Sequence, residues 1–251
     1  MNGKLKNSLA LGLIAALLLL GMGGCSSKAK DTAATQAKEE IVISVGAEST
    51  TGYDPCTGAS TYLFFNGLLG FDKQCNLIND LAGKYEVSPD GMTYTFTLRD
   101  DVKFSDGTPV KAEDVVFTYH TAQQSGSIVD LNVIDSLKAL DDKTVVFSLK
   151  KPYSVFAHIV AGIGIVPQHA YGPQFSDKPT GTGPFVLAQW DKGQQMILTP
   201  NHYYYGTKPY FKKVTILFMK EDAVLAAAQA GKLDIAMINP QFTNQSAAGM
   251  K

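Results

Sequence analysis

Three thiols, four imidazoles and several adjacent carboxylates are the groups in this chain with reactive chemistry to offer. Cys56 and Cys75 have no CxxC or HxxxH spacing around them, so neither a redox pair nor a metal site is written in their positions. They read as two separate thiols. The alternative is a bridge between them, which chain-entropy reasoning would credit with roughly 3 kcal/mol. His120, His158, His169 and His202 form no close pair in sequence. Asp100-Asp101 and Asp141-Asp142 fall in predicted turns, where solvated charge is the default. A GxSxG nucleophile elbow is absent, and spacing supports no Cys/His catalytic pair. Bound metal and resident cofactor are therefore both read as none, and the chain as a non-enzyme.

The elements that must carry these residues alternate in kind. Ile41 to Val45 (IVISV) is a β-branched run predicted to form a first buried strand. Gly52-Tyr53-Asp54-Pro55-Cys56-Thr57-Gly58 is dense in turn formers and predicts a surface loop. Tyr62, Phe65, Leu68 and Leu69 recur at helical spacing and predict a helix packed on one side. Thr93 to Leu98 alternates, with Tyr94, Phe96 and Leu98 on one face, and Val145, Phe147 and Leu149 repeat the pattern. Between these strands Val115, Val116, Tyr119 and Ala122 fit a helix, with Glu113 and Asp114 opposing the positive end of its dipole. Antiparallel strands with one helix laid on them make an α+β subdomain. From Thr180 onward the pattern changes: a strand over Phe185 to Gln189, an alternating one at Val214, Ile216 and Phe218, an alanine-rich helix closed by Gly231, then a buried strand over Leu233 to Ile238. The last three make a βαβ unit.

The opening residues address the chain. Lys4 and Lys6 precede the uncharged run Leu9 to Leu20, which ends at Gly21-Met22-Gly23-Gly24 before Cys25. A positive start, an apolar middle too short to span and a small-residue end predict a signal peptide over 1–24. Cys25 after the small residues resembles the lipobox of bacterial lipoproteins, with Met22 where leucine is usual, and is the expected lipidation site. Residues 25–40 carry alanine as the only apolar type after the cysteine and predict a flexible tether with a reach on the order of 20 Å. Lys+Arg (22) nearly equals Asp+Glu (23), so no nucleic-acid partner is indicated. About 210 residues remain for folding, enough for one large domain or two modest ones.

Several ordered segments resemble the bacterial extracellular solute-binding proteins of family 5, the peptide, nickel and opine class. They are Asp80-Leu81-Ala82, Val87-Ser88-Pro89-Asp90-Gly91, Leu98 to Pro109 (LRDDVKFSDGTP), Ala112-Glu113-Asp114-Val115, Gly181-Thr182-Gly183-Pro184-Phe185 and Ala230-Gly231-Lys232-Leu233-Asp234. The resemblance implies α/β and α+β structure: a type II, cluster C periplasmic-binding-protein first lobe over 41–70 and 179–251, with an α+β subdomain inserted at 71–178. Family members run to roughly twice this length, so the second lobe is expected to be absent and the chain to be a truncated or split form.

The resemblance further implies an extracytoplasmic lipoprotein that serves the permease subunits of an ABC importer, with a short peptide or a nickel complex as cargo. A surface receptor or adhesin, or an inactive fragment, is the alternative. It places ligand contacts at Tyr53, Asp54, Cys56, Thr57 and Tyr62, for each of which a turn or core role is the competing reading, and a hinge at Gly181, Thr182 and Gly183. Where some nickel binders carry arginines this chain has Ala161-Gly162-Ile163-Gly164-Ile165, which disfavours that mode. Arg99, at a strand end among carboxylates, reads as a structural ion-pair partner.

Overall fold

Alternating apolar residues build most of the architecture, because a strand with one wet and one dry face can be satisfied only by a layer against its dry side. A computed structural model describes residues 38–58, 61–125 and 129–238. The elements in chain order are β1 (Glu40–Val45), β2 (Leu69–Phe71), β3 (Leu77–Asn79), β4 (Ala82–Val87), β5 (Thr93–Leu98), α1 (Ala112–Ser125), β6 (Ile134–Ala139), β7 (Thr144–Leu149), α2 (Phe156–Gly162), β8 (Phe185–Asp191), β9 (Gln195–Pro200), β10 (Lys213–Phe218), α3 (Glu221–Gln229) and β11 (Ile235–Ala236). A 3-10 turn spans Gln168–Ala170. The expected signal peptide and Cys25 lie outside the described residues, as does the tether up to residue 37.

Two principal sheets result. The first has the order β11-β1-β10-β9-β8, with β1 parallel to both β10 and β11 and the remaining pairs antiparallel. The second, β4-β5-β7-β6, is wholly antiparallel, and α1 packs on its β6 and β7 strands. Strand β10, helix α3 and strand β11 form the expected βαβ crossover past β1. Helix α3 ends in a Schellman motif: Gly231 at φ +67° sends its N–H to Ala228, and Lys232 reaches Ala227. β11 is shorter than the sequence suggested, and Ile235 is half exposed.

The core of the second sheet is aromatic. Phe147 stands edge-on to Tyr119, Phe96 and Phe156, with centroids at 4.9, 5.6 and 5.4 Å. The start of α1 is fixed by Asp114, whose carboxylate accepts the Lys111 N–H at 2.9 Å, the return half of a capping box. Its other oxygen accepts the Gln168 N–H at 3.0 Å. Thr118 adds a second tie, its hydroxyl oxygen accepting the Val166 N–H at 3.0 Å. These bonds hold the 166–171 segment against α1.

Two expectations are corrected. Tyr62, Phe65, Leu68 and Leu69 do not lie on a helix; the chain turns at 61–64 and then runs extended into β2. The reason is the backbone. Carbonyls that a helix would use internally are taken laterally: Leu63 O by Phe185, Phe64 O by Gly183, Asn66 O by Ile165, Gly67 O by Leu81 and Leu68 O by Ala82. The 52–58 loop is tucked inward, with Gly52, Asp54, Pro55 and Cys56 buried. Cys56 and Cys75 are separate thiols, the first buried and the second exposed. Arg99 does pair structurally, with Asp101 through bonds of 2.8 and 2.7 Å.

Phe147 is fully buried, so Phe147→Ala should cost about 3–5 kcal/mol, read as a lowered denaturant midpoint without loss of cooperativity.

Candidate functional site

The chain leaves β1 at Gly46, which is exposed with open space around it, and enters a loop clamped from several sides. The Ser49 hydroxyl donates to Gly52 O at 2.6 Å, and the Tyr53 N–H donates to Ser176 O at 2.7 Å. Gly52 has φ +78°, and a side chain there would sit 2.5 Å from Ser176 O. Only glycine meets both demands.

Beyond the clamp the loop turns inward around Asp54, which is 5% exposed. Its carboxylate accepts the Cys56 N–H at 2.9 Å and the Tyr171 hydroxyl at 2.7 Å. Its carbonyl accepts the Thr57 N–H at 3.1 Å. Cys56 is fully buried, its thiol 3.6 Å from Thr118 O. Burial first, and then the neighbouring Asp54 charge, push this thiol up to about 12. It stays protonated at neutral pH and lacks the electropositive setting of a reactive cysteine. Thr57 is exposed.

Tyr53 faces the other way. Its ring meets Phe64 and Trp190, both at 5.4 Å, and burial together with the Glu48 charge raises its phenol. The Trp190 indole N–H donates to Glu48 Oε1, and Gly193 donates to Glu48 Oε2 at 2.7 Å. Lys192 lies 5.0 Å over the Trp190 ring and pairs with Asp177 at 2.9 Å. Glu48, Trp190, Lys192 and Asp177 line a cavity of about 170 Å³ together with the 49–52 loop. A larger concavity of about 700 Å³ shares Trp190, Lys192 and Asp177 and continues along the edge of β8 to Ser105 and Asp106. The wall thus offers an indole face, hydroxyls and charges of both signs, which is equipment for holding a polar solute.

The structure therefore packs Tyr53 against the Trp190 ring without making it a lining residue of either cavity, while Asp54 and Cys56 are buried within the loop. Tyr62 stands elsewhere, 59% exposed, in a different cavity. Glu48, Trp190, Lys192 and Asp177 escaped the sequence reading. The one signal for Trp190 was that it is the chain's only tryptophan.

Gly181, Thr182 and Gly183 are all buried. A side chain on Gly181 would overlap the Phe64 carbonyl oxygen, and one on Gly183 would lie 2.6 Å from the Phe64 carbonyl carbon. Gly183 N–H donates to Phe64 O at 2.8 Å, and Gly181 O accepts the Ser105 N–H at 2.8 Å. The Thr182 hydroxyl oxygen accepts the Asn66 N–H at 3.1 Å. These glycines serve close backbone approach. Among the described residues, no three His, Cys, Asp or Glu side chains gather as metal ligands would.

The two thiols should separate cleanly in a labelling experiment. Native protein treated with iodoacetamide near pH 8 should be alkylated at Cys75 and spared at Cys56 until denatured, as read by peptide mass mapping.

Comparison with known proteins accords with this architecture. Residues 76–251 match the family described as bacterial extracellular solute-binding proteins, family 5 Middle. Protein XP55 of Streptomyces lividans is 38% identical over 223 residues, which is 83% of this chain and 41% of XP55. The glutathione-binding protein GsiB of Escherichia coli K12 is 34% identical over 197 residues, 73% of this chain and 36% of that protein. Among solved structures, MoaA from A. tumefaciens R10 in complex with mannopinic acid superposes with a TM-score of 0.77 at 30% identity, over 84% of this chain and 48% of that one. NikZ from Campylobacter jejuni in complex with Ni(L-His) gives 0.74 at 27%, over 83% and 45%. The chain thus spans less than half the length of these relatives. The fold is mixed α/β, of the type II periplasmic binding protein kind, over part of such a molecule. On the family match and the shared architecture, this chain belongs to the family 5 bacterial extracellular solute-binding proteins.

Proposed function

We propose that the chain serves an ABC importer as its solute-capturing component and binds an amino-acid-derived solute, either a short peptide or nickel chelated by amino acids. The observation that carries this reading is the wall formed by Glu48, Trp190, Lys192 and Asp177: it presents a carboxylate, an ammonium and an aromatic face within one concavity. An α-amino acid group carries both charges, and such a wall complements both. The relatives named for glutathione and for Ni(L-His) bind solutes of this kind. Nickel would arrive with its own ligands, so the same recognition chemistry serves either cargo.

In this reading Tyr53 and Thr57 contribute contacts and Asp54 and Cys56 fix the loop from below, while Tyr62, which lines a separate cavity, takes no part at this wall. Gly181, Thr182 and Gly183 act as the pivot. The role is binding without catalysis, and the partners are membrane permease subunits. The molecule works outside the cytoplasm, tethered through a lipid on Cys25 and the 25–40 segment. Two acyl chains there suffice for stable anchoring.

Calorimetry and thermal shift against a panel of di- to hexapeptides, and against Ni²⁺ with free histidine, test the cargo. One class should raise the melting midpoint, since a ligand at a hundred times its Kd stabilises by about 2.7 kcal/mol. Trp190→Ala should then weaken binding by roughly tenfold, the equivalent of about 1.4 kcal/mol. A midpoint unmoved by every ligand would remove binding by this chain from the proposal. Detergent-phase partitioning tests the anchor: the intact protein should enter the detergent phase, and Cys25→Ala should leave it in the aqueous phase.

A further inference from the structure

A cavity of about 340 Å³ shares no lining residue with the wall described above, and its chemistry is different. Asp80 and Asn66 line it with Tyr62, Phe71, Ile78 and Tyr204. The Asp80 carboxylate accepts the Asn66 amide N–H at 2.9 Å and the Tyr205 hydroxyl. Both donors are neutral. Arg99, the chain's sole arginine, is committed to Asp101 and lies 5.0 Å over the Tyr205 ring. Among the described residues no lysine, arginine or histidine forms an ion pair with Asp80. Its charge is felt by its neighbours: burial first, and then Asp80, raises the phenols of Tyr204 and Tyr205.

A second observation points to a donor-rich ligand. Asn66 is 8% exposed, and its amide oxygen has no hydrogen-bond partner. Native proteins leave few such acceptors unsatisfied, and those that remain call for an explanation. The cavity also gathers Tyr62, Phe71 and Ile78, which are 59%, 39% and 45% exposed. Arg99 feels the Asp80 charge from across the Tyr205 ring but does not touch it. A carboxylate whose direct hydrogen-bond donors are all neutral, an amide acceptor without a donor and an aromatic rim match the head and stem of an alkyl cation.

We propose that this cavity binds a small organic cation, a primary ammonium or guanidinium on a short alkyl chain. The charged head hydrogen-bonds to Asp80 and, after a small adjustment of the amide, to Asn66 Oδ1; the stem lies against Tyr62, Phe71 and Ile78. The volume lies near the lower end of small-molecule sites, about 300 to 1,000 Å³, which favours a free amine over a larger metabolite. The assignment is independent of what the Trp190 wall takes.

Calorimetry on the full chain with n-butylammonium and with agmatine, and with n-butanol as the neutral analogue, tests it. Both cations should bind saturably, with butanol weaker by about tenfold. Asp80→Asn should weaken n-butylammonium by about tenfold, and Phe71→Ala, on the exposed rim, by about threefold. Absence of saturable binding up to about 10 mM, equal affinity for butanol, or an unchanged Phe71→Ala would each overturn the proposal. Phe71→Ala keeps the test decisive if Asp80→Asn fails to fold. A blocked lysine peptide, Ac-Ala-Lys-Ala-NH₂, should compete poorly with n-butylammonium. Competition stronger than that of agmatine would assign the cavity to a protein side chain and overturn the free-cation reading.

Discussion

A short seam of hydrogen bonds, backbone to backbone and backbone to side chain, between residues 63–66 and 181–185 underlies the rest of the molecule. Gly183 donates to Phe64, Phe185 to Leu63 and Asn66 to Thr182. Ser105 joins from the neighbouring loop by donating to Gly181, and the Asn201 amide closes the seam on Gly183 O at 2.8 Å. This approach exists only because positions 181 and 183 lack side chains. It draws β8, the 104–108 loop and the 61–66 turn to one line, and the walls on either side of that line inherit their positions from it. An added methyl would have to move backbone, which has few low-energy ways to yield.

Much of the fold was legible because its strands are half-dry. Tyr94, Phe96 and Leu98 announced β5, and Val145, Phe147 and Leu149 announced β7, since alternation leaves a single way to bury the apolar face. The acidic first turn of α1 and the glycine after α3 were legible as well, each being a local solution to an unsatisfied helix end. The stretch from Tyr62 to Leu69 was misread because apolar spacing alone cannot say where backbone carbonyls go. There they are claimed by Ile165, Gly183, Phe185 and Leu81, all distant in sequence. The 52–58 loop was misread for a related reason. Turn-forming residues predict a turn, whereas its depth was decided by Tyr171 and Ser176.

The candidate site was less legible than the fold. Glu48 and Trp190 are 142 positions apart, and neither carries a local motif. Their meeting follows from the sheet order, in which β1 and β8 are brought to one region through β10 and β9. The acidic and thiol residues that attracted notice, Asp54 and Cys56, are spent on holding the loop. Polar residues in turn-rich segments have two possible employments, facing solvent or satisfying buried backbone, and composition does not distinguish them.

Trp190 has a further consequence. Its indole is the only one in the chain, and its immediate neighbours include the Tyr53 ring, the Glu48 carboxylate and the Lys192 ammonium. Rearrangement of the 46–53 loop or of the 191–194 turn alters the polarity and quenching around a single fluorophore. The molecule carries a native optical probe of its own wall, free of background from any second indole.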